Sequence, residues 1–253
     1  MKLDFHFATR CLFALILAMD LAPTPGYSAE PMPPQGFRAL FNGHDLSGWY
    51  GLNPHLSAKL VGEEKDKNLL KQRAEFSKYW RVEDGSLVND GKGPYATTED
   101  DFGDIELQLE YKTAPGADSG VYLRGAPQIQ IWDTNQKFNA QSPDRKPHLG
   151  SGGLYNNTPG APGRDPLELA DLPFGEWNKL RIRQIGAWTS VWLNGKLVVD
   201  NAIMENFWGR SQPLPPKGPI MLQTHGGQIS WRNIFVREIG ASEAKEILAK
   251  TKK

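Results

Sequence analysis

The dipeptides Asp84-Gly85, Asn194-Gly195 and Gly226-Gly227 each stand between runs that alternate apolar and polar residues. Such pairs accept the left-handed backbone that a two-residue connection between antiparallel strands requires, so they limit the chain to a small set of β architectures. Trp80 to Val88 reads as a hairpin about the first pair, and Asp104 to Tyr111 alternates without a break. A strand running into a turn is predicted at Phe37 to Gly43, and further strands at Gly120 to Arg124, Gln128 to Trp132, Lys179 to Ile185, Thr189 to Leu193, Lys196 to Val199, Ile220 to Thr224 and Ile229 to Val236. Many short antiparallel strands bury their apolar faces by stacking sheet on sheet, which predicts an all-β sandwich of jelly-roll type.

Two segments break this pattern. Between about residues 55 and 79, Leu56, Leu60, Leu69, Leu70 and Phe76 lie among Lys, Glu, Gln and Arg with few β-branched residues, which predicts a helical insertion on the β framework. Ala244, Ile247 and Leu248 among lysines predict a C-terminal helical tail over 240–253. The stretch from Asn135 to Glu176 is rich in Pro, Gly and Asn and has little periodicity; it reads as an ordered rim of a binding site, anchored by Trp132, Tyr155 and Phe174.

The first 29 residues read as an export signal. Lys2 and Arg10 precede the apolar run Cys11 to Met19, Asp20 interrupts it, and Ser28-Ala29 offers a cleavage point before Glu30. The run is too short for a comfortable bilayer span, so no stable membrane anchor is expected. Export leads to the periplasm or the outside of the cell. A Pro-rich spacer over 30–35 follows, and the main domain is expected over 36–239. Cys11 is the only cysteine, so the exported chain has no disulfide, thiol nucleophile or thiolate metal site.

Lys plus Arg and Asp plus Glu balance at 29 each, so no basic field favours nucleic acid as a partner. No phosphate-binding glycine loop is present, because Gly150-Ser151-Gly152-Gly153 precedes a Pro-rich run rather than a helix. Asp104, Glu106 and Glu110 form a row whose same-face members stand roughly 7 Å apart, within the range of a glycosidase carboxylate pair. Gln108 interrupts the row, and an exposed outer strand explains it better. The loop acids Asp144, Asp165 and Asp171 lack metal-ligand spacing, although a loop calcium or another divalent metal stays open. The oligomeric state also stays open.

The richest constellation lies elsewhere. Tyr122 and Arg124 share one strand face; Gln128, Gln130 and Trp132 share a face on the next run, which ends at Asp133. Gln223 and His225 share a face beyond Met221, and Arg232 follows on the next strand. Either Gly226-Gly227 is a plain hairpin turn that His225 caps, or His225 serves a site. Amides, aromatics, one guanidinium and one imidazole on a sheet surface suit a neutral polyhydroxylated ligand, because amides bond hydroxyls while Trp covers a C–H face.

The motifs Phe41 to Trp49, Asp118 to Arg124, Gly175-Glu176-Trp177-Asn178, Leu193-Asn194-Gly195, Leu222 to Gly226 and Arg232-Asn233-Ile234 resemble those of the 3-keto-disaccharide hydrolase domain family over roughly residues 36 to 239. The resemblance implies a concanavalin A-like jelly roll. It also implies cleavage of oligosaccharides or glycosides oxidised to a ketone at C3, by a lyase step and then a hydratase step. By motif, it implies His225 as base or acid, Asp133 as its carboxylate partner or the alternate base, and Arg124 as a ligand of the oxyanion or a hydroxyl. Gln130, Gln223, Tyr155, Tyr122, Trp132, Gln128 and Arg232 would then hold the sugar. The run ending in Asp133 usually begins with Glu in this family, and here Gln128 takes its place. That departure leaves a non-catalytic carbohydrate-binding module as the alternative.

Overall fold

The computed structural model describes residues 32–137 and 139–251; the segment expected to be an export signal, Cys11 included, and the start of the spacer lie outside the described residues. The strands are β1 (Arg38–Ala39), β2 (Trp49–Gly51), β3 (Trp80–Glu83), β4 (Ser86–Asn89), β5 (Ala96–Phe102), β6 (Ile105–Thr113) and β7 (Asp118–Leu123). They continue with β8 (Ala126–Trp132), β9 (Asn178–Ile185), β10 (Trp188–Leu193), β11 (Lys196–Ile203), β12 (Gly218–Leu222) and β13 (Ile229–Glu238). Helices α1 (Pro54–Ser57) and α2 (Gly62–Tyr79) occupy the predicted insertion, and α3 (Ala241–Thr251) the tail. None of the helices among the described residues is long and apolar enough to cross a membrane.

All strand pairs are antiparallel. One sheet runs β11-β10-β9-β6-β13-β4-β3 with β1 on β13, and a smaller one runs β2-β5-β12-β7-β8. The alternation seen in the sequence turns Val121, Leu123, Ile129, Ile131, Ile220 and Leu222 of the small sheet into the same core as Leu107, Leu109, Leu180, Ile182 and Trp231 of the large one. The result is an antiparallel sandwich of jelly-roll type. Each fully buried large side chain contributes about 1.5–3 kcal/mol. Two buried tryptophans also satisfy their polar edges: Trp80 Nε1 donates to Pro94 O at 2.8 Å and Trp49 Nε1 to Leu40 O at 2.7 Å.

The structure corrects three local expectations. Phe37 to Gly43, read as a strand running into a turn, keeps only Arg38–Ala39 as strand; beyond it Asn42 Oδ1 accepts from His44 N at 2.8 Å and Asp45 N at 3.0 Å, the side-chain turn that ends extended backbone. Strands β2 and β5 are additional. Gly226-Gly227 is not a hairpin turn, because β12 belongs to the small sheet and β13 to the large one. Here the chain crosses between layers. A Cβ on Gly226 would stand 2.3 Å from Gly116 O, and one on Gly227 2.6 Å from Pro115 O, so only glycine permits the approach.

The outer face of the small sheet is roofed by the insertion on one side and by loops on the other. Gly51 lets α2 close on β2, since a Cβ there would lie 2.4 Å from Gln72 O. Along the free edge of β8, Gln130 N donates to Gly153 O at 2.9 Å and Gly152 N to Gln130 O at 2.8 Å. The Gly150 to Gly153 run therefore caps a sheet edge.

Candidate active site

Gly120 is the floor of a polar pit on the outer face of the small sheet. Register sets Gln130 directly across from it on β8, and Gln223 lies alongside because Gln223 N donates to Gly120 O at 2.9 Å. Asp118 and Tyr122 follow two residues away in either direction along β7, on the same face. A Cβ on residue 120 would stand 2.8 Å from Ile129 O and 3.0 Å from the Gln128 amide, so the Gln128 side chain packs over this position and only glycine fits beneath it.

Asp118 is the charged centre. Its Oδ1 accepts from Gln130 Nε2 at 2.8 Å, and its Oδ2 accepts from Arg145 Nη2 at 2.8 Å and lies 3.1 Å from His225 Nδ1. Gln128 Nε2 in turn donates to Gln130 Oε1. The imidazole is thus oriented by a carboxylate that is itself fixed by an amide and a guanidinium. The hydrogen bond to Asp118 raises the His225 pKa above its ordinary value, with burial and the Arg145 charge opposing it. The side chain of His225 remains 62% exposed, so Nε2 is open to a ligand while Nδ1 faces Asp118.

Backbone pairing places this histidine. Beyond the end of β12, Asp118 N donates to His225 O at 3.1 Å and Gly227 N to Gly116 O at 2.8 Å, which prolongs the β12 to β7 ladder to the crossover.

The other end of the face is aromatic. Asn53 caps α1 by accepting from His55 N at 3.0 Å, with Pro54 at the first helical position, and this sets His55 over the sheet. His55 Nε2 lies 2.9 Å from Tyr122 Oη, and burial lowers its pKa, which favours the neutral ring. Burial also raises the phenol pKa values of Tyr122 and Tyr95, so both hydroxyls keep their protons. Gln223 Nε2 donates to Tyr95 Oη at 3.3 Å. The carbonyl oxygens of Gln128 and Gln223 are buried on either side of the pit and accept from no protein group. Leaving such an acceptor unmet costs about 1–3 kcal/mol.

Of the residues predicted from sequence, His225, Gln128, Gln130, Gln223 and Tyr122 share this face. Trp132 borders it, with the Arg145 guanidinium 4.8 Å above its ring and Tyr155 edge-on at 5.1 Å. The structure places Asp133, Arg124 and Arg232 elsewhere. Asp118, not Asp133, is the carboxylate beside His225: Asp133 Oδ2 accepts from Gly116 N and its Oδ1 from Asn135 N, both at 2.8 Å, so it pins loop backbone. Arg124 lies past the end of β7 in a left-handed turn with φ of 54°, which takes it off the strand face; it donates to Asp104 Oδ1 at 2.8 Å and Pro215 O at 3.0 Å. Arg232 belongs to the large sheet, where its Nε donates to Glu110 Oε2 at 2.7 Å and its guanidinium stacks over Trp177 at 4.0 Å. Glu106 bonds Arg181 and Arg237, so the acidic row of β6 is an ion-paired outer face.

Asp118, Arg145, His55 and Tyr95 are the site residues that sequence reading did not assign. For Asp118 a signal was available, since it shares alternation with Gly120 and Tyr122. Among the described residues no group of three or more His, Cys, Asp or Glu side chains is placed to hold a metal ion.

Comparison with known proteins agrees with this architecture. Two solved structures from Parabacteroides distasonis, each provisionally named a glycosyl hydrolase, share the fold. One has a TM-score of 0.58 at 18% identity, covering 83% of this chain and 100% of that one. The other has a TM-score of 0.57 at 23% identity, covering 86% and 93%. A protein of Bacteroides thetaiotaomicron named 3-keto-disaccharide hydrolase is 24% identical over 82% of this chain and 80% of its own length. The model of the 3-keto-alpha-glucoside-1,2-lyase-like domain matches residues 36–237, and the chain belongs to that family.

Proposed function

We propose that the protein hydrolyses 3-keto-glycosides by deprotonation at C2, elimination and rehydration, with His225 as the base. The observation that carries this reading is the His225–Asp118 pair at the rim of a pit walled by amides. A ketone at C3 acidifies the hydrogen on C2. Neutral His225, held through Nδ1 by Asp118, takes that proton on Nε2, and the electron pair passes to the C3 oxygen as an enolate. The enolate reforms the C3 carbonyl, a C1–C2 double bond forms, and the C1–O bond breaks with its pair on the departing oxygen, which takes a proton. Water then adds its oxygen to C1 and a proton to C2, and the net result is hydrolysis.

Family membership and the relative named 3-keto-disaccharide hydrolase support this substrate class. Gln128, where a carboxylate is usual, favours a second reading as a non-catalytic carbohydrate-binding module. Incubation with a 3-keto disaccharide and its unoxidised parent separates the two. Our reading has only the keto sugar cleaved, and His225→Ala slower by about 10²–10⁴-fold; binding without cleavage of either sugar selects the module. Export is proposed on the residues 1–29 pattern alone, and a secreted product whose N-terminus is Glu30 is the expected finding.

A further inference from the structure

Five aromatic rings from four segments meet beside the Gly120 pit, outside the main core. His55 lies 6.2 Å from Tyr122, 6.0 Å from Phe207 and 5.0 Å from Trp208 between ring centroids, and Tyr95 lies 5.4 Å from Tyr122. Phe207 and Trp208 come from the loop that follows β11. That loop is tied down on several sides: Trp208 Nε1 donates to Gly125 O at 2.8 Å, Asn157 bonds Ile203 O at 2.7 Å and Glu205 N at 2.9 Å, and Arg210 donates to Asn156 O at 2.6 Å. Even so, Trp208 stays 39% exposed, and Leu56 of α1 stays 58% exposed. Large rings held rigid and wet beside a set of buried polar groups form a surface for stacking another ring.

The pit and the aromatic wall are aligned along β7. From Asp118 to Tyr122 is four residues of strand, about 13 Å. A sugar seated beside His225 and Asp118, with the substrate lying along β7, has its neighbour against His55 and Trp208.

We propose that His55, Phe207 and Trp208 form a second subsite, which selects substrates whose C1 substituent is itself a ring with an apolar face. The proposal rests on the reading of the Gly120 pit as the seat of the reacting sugar. Such a ring is either a second sugar or an aryl group, and both present C–H or π surface to the indole.

The test compares kcat/KM for three 3-keto-α-glucosides that differ only in the C1 substituent: methyl, phenyl and glucosyl. Trp208→Ala is expected to lower the glucosyl-to-methyl or phenyl-to-methyl ratio by about tenfold, the size of one aromatic contact. The larger drop identifies which ring is used. Trp208→Phe keeps a ring without the tether to Gly125 and is expected to retain most of the ratio, while Phe207→Ala serves as a second truncation that spares the tether. An equal loss on all three probes, or unchanged ratios in both truncations, overturns the subsite. Should the wild-type protein turn over none of them, calorimetric binding of the unoxidised methyl, phenyl and glucosyl α-glucosides reads the same ratios. The subsite then stands or falls separately from the reaction, and binding of none of the three overturns it.

Discussion

At Asp118, one carboxylate accepts from an amide and a guanidinium while holding an imidazole, and this sets the protonation of the site. The pKa of His225 is raised, so the charged pair contributes stability that is complete below the ordinary histidine value and is lost as pH rises through the raised one. Activity runs the other way: a base must be neutral, so kcat/KM climbs as pH passes the raised value. Asp118→Asn is expected to shift that acid limb to lower pH and to lower the His225 pKa, as read by proton NMR of the imidazole, while slowing turnover. A limb that stays in place would separate His225 from catalysis. Gly120→Ala tests the floor; overpacking against Ile129 O is expected to cost about 1–3 kcal/mol of stability and to abolish sugar binding by calorimetry. The alternation of strands made most of this face legible in the sequence. It did not distinguish Asp118 from Asp133, because which of two strand-end carboxylates meets His225 depends on how far the β12 ladder runs past Leu222. His55 was hidden for another reason: its partner Tyr122 is 67 residues away and is reached only by folding the insertion over the sheet.

Among the elements, β6, β9, β13 and α3 share one partly exposed ion-pair network centred on the buried Glu106. Glu106 bonds Arg181 on β9 and Arg237 on β13, and Arg237 also bonds Glu243 on α3 at 2.8 Å. Burial works against ionisation of Glu106, but the two guanidinium groups outweigh it and hold the carboxyl below its ordinary range. Its stabilisation is therefore present above the ordinary value of 4.5 and is lost as pH falls through the depressed one. Glu106→Gln is expected to lower Tm at neutral pH and to lower it less in acid, so the Tm difference from wild type narrows below about pH 4. A difference that is constant with pH would contradict the assignment. Strand β6 was readable as an unbroken alternation. Strand β5 was not, because Thr97 to Asp101 is polar throughout, and its extended form comes from pairing with β2 and β12. Gly226-Gly227 carried a true turn signal whose meaning changed: the close approach to Gly116, a tertiary fact, makes it a crossing between sheets.

Over the whole molecule, the two sheets share the core, the larger carries the ion pairs, and the outer face of the smaller carries the site we propose for a ligand. The sandwich itself followed from strand number and turn chemistry, while the roof over the small sheet depends on contacts between the insertion and the loop after β11, which no local pattern encodes. Joining the polar pit to an ordered aromatic wall gives the face a direction along β7, from the base to the second ring. The central claim is that this face carries proton abstraction at C2 of a keto sugar. Its most direct test is turnover of a 3-keto disaccharide in D2O, with the released keto sugar analysed by mass spectrometry. The account predicts one solvent deuterium, located at C2, and none in the unreacted parent disaccharide. Hydrolysis that leaves C2 fully protonated, or equal cleavage of the unoxidised parent, would contradict it.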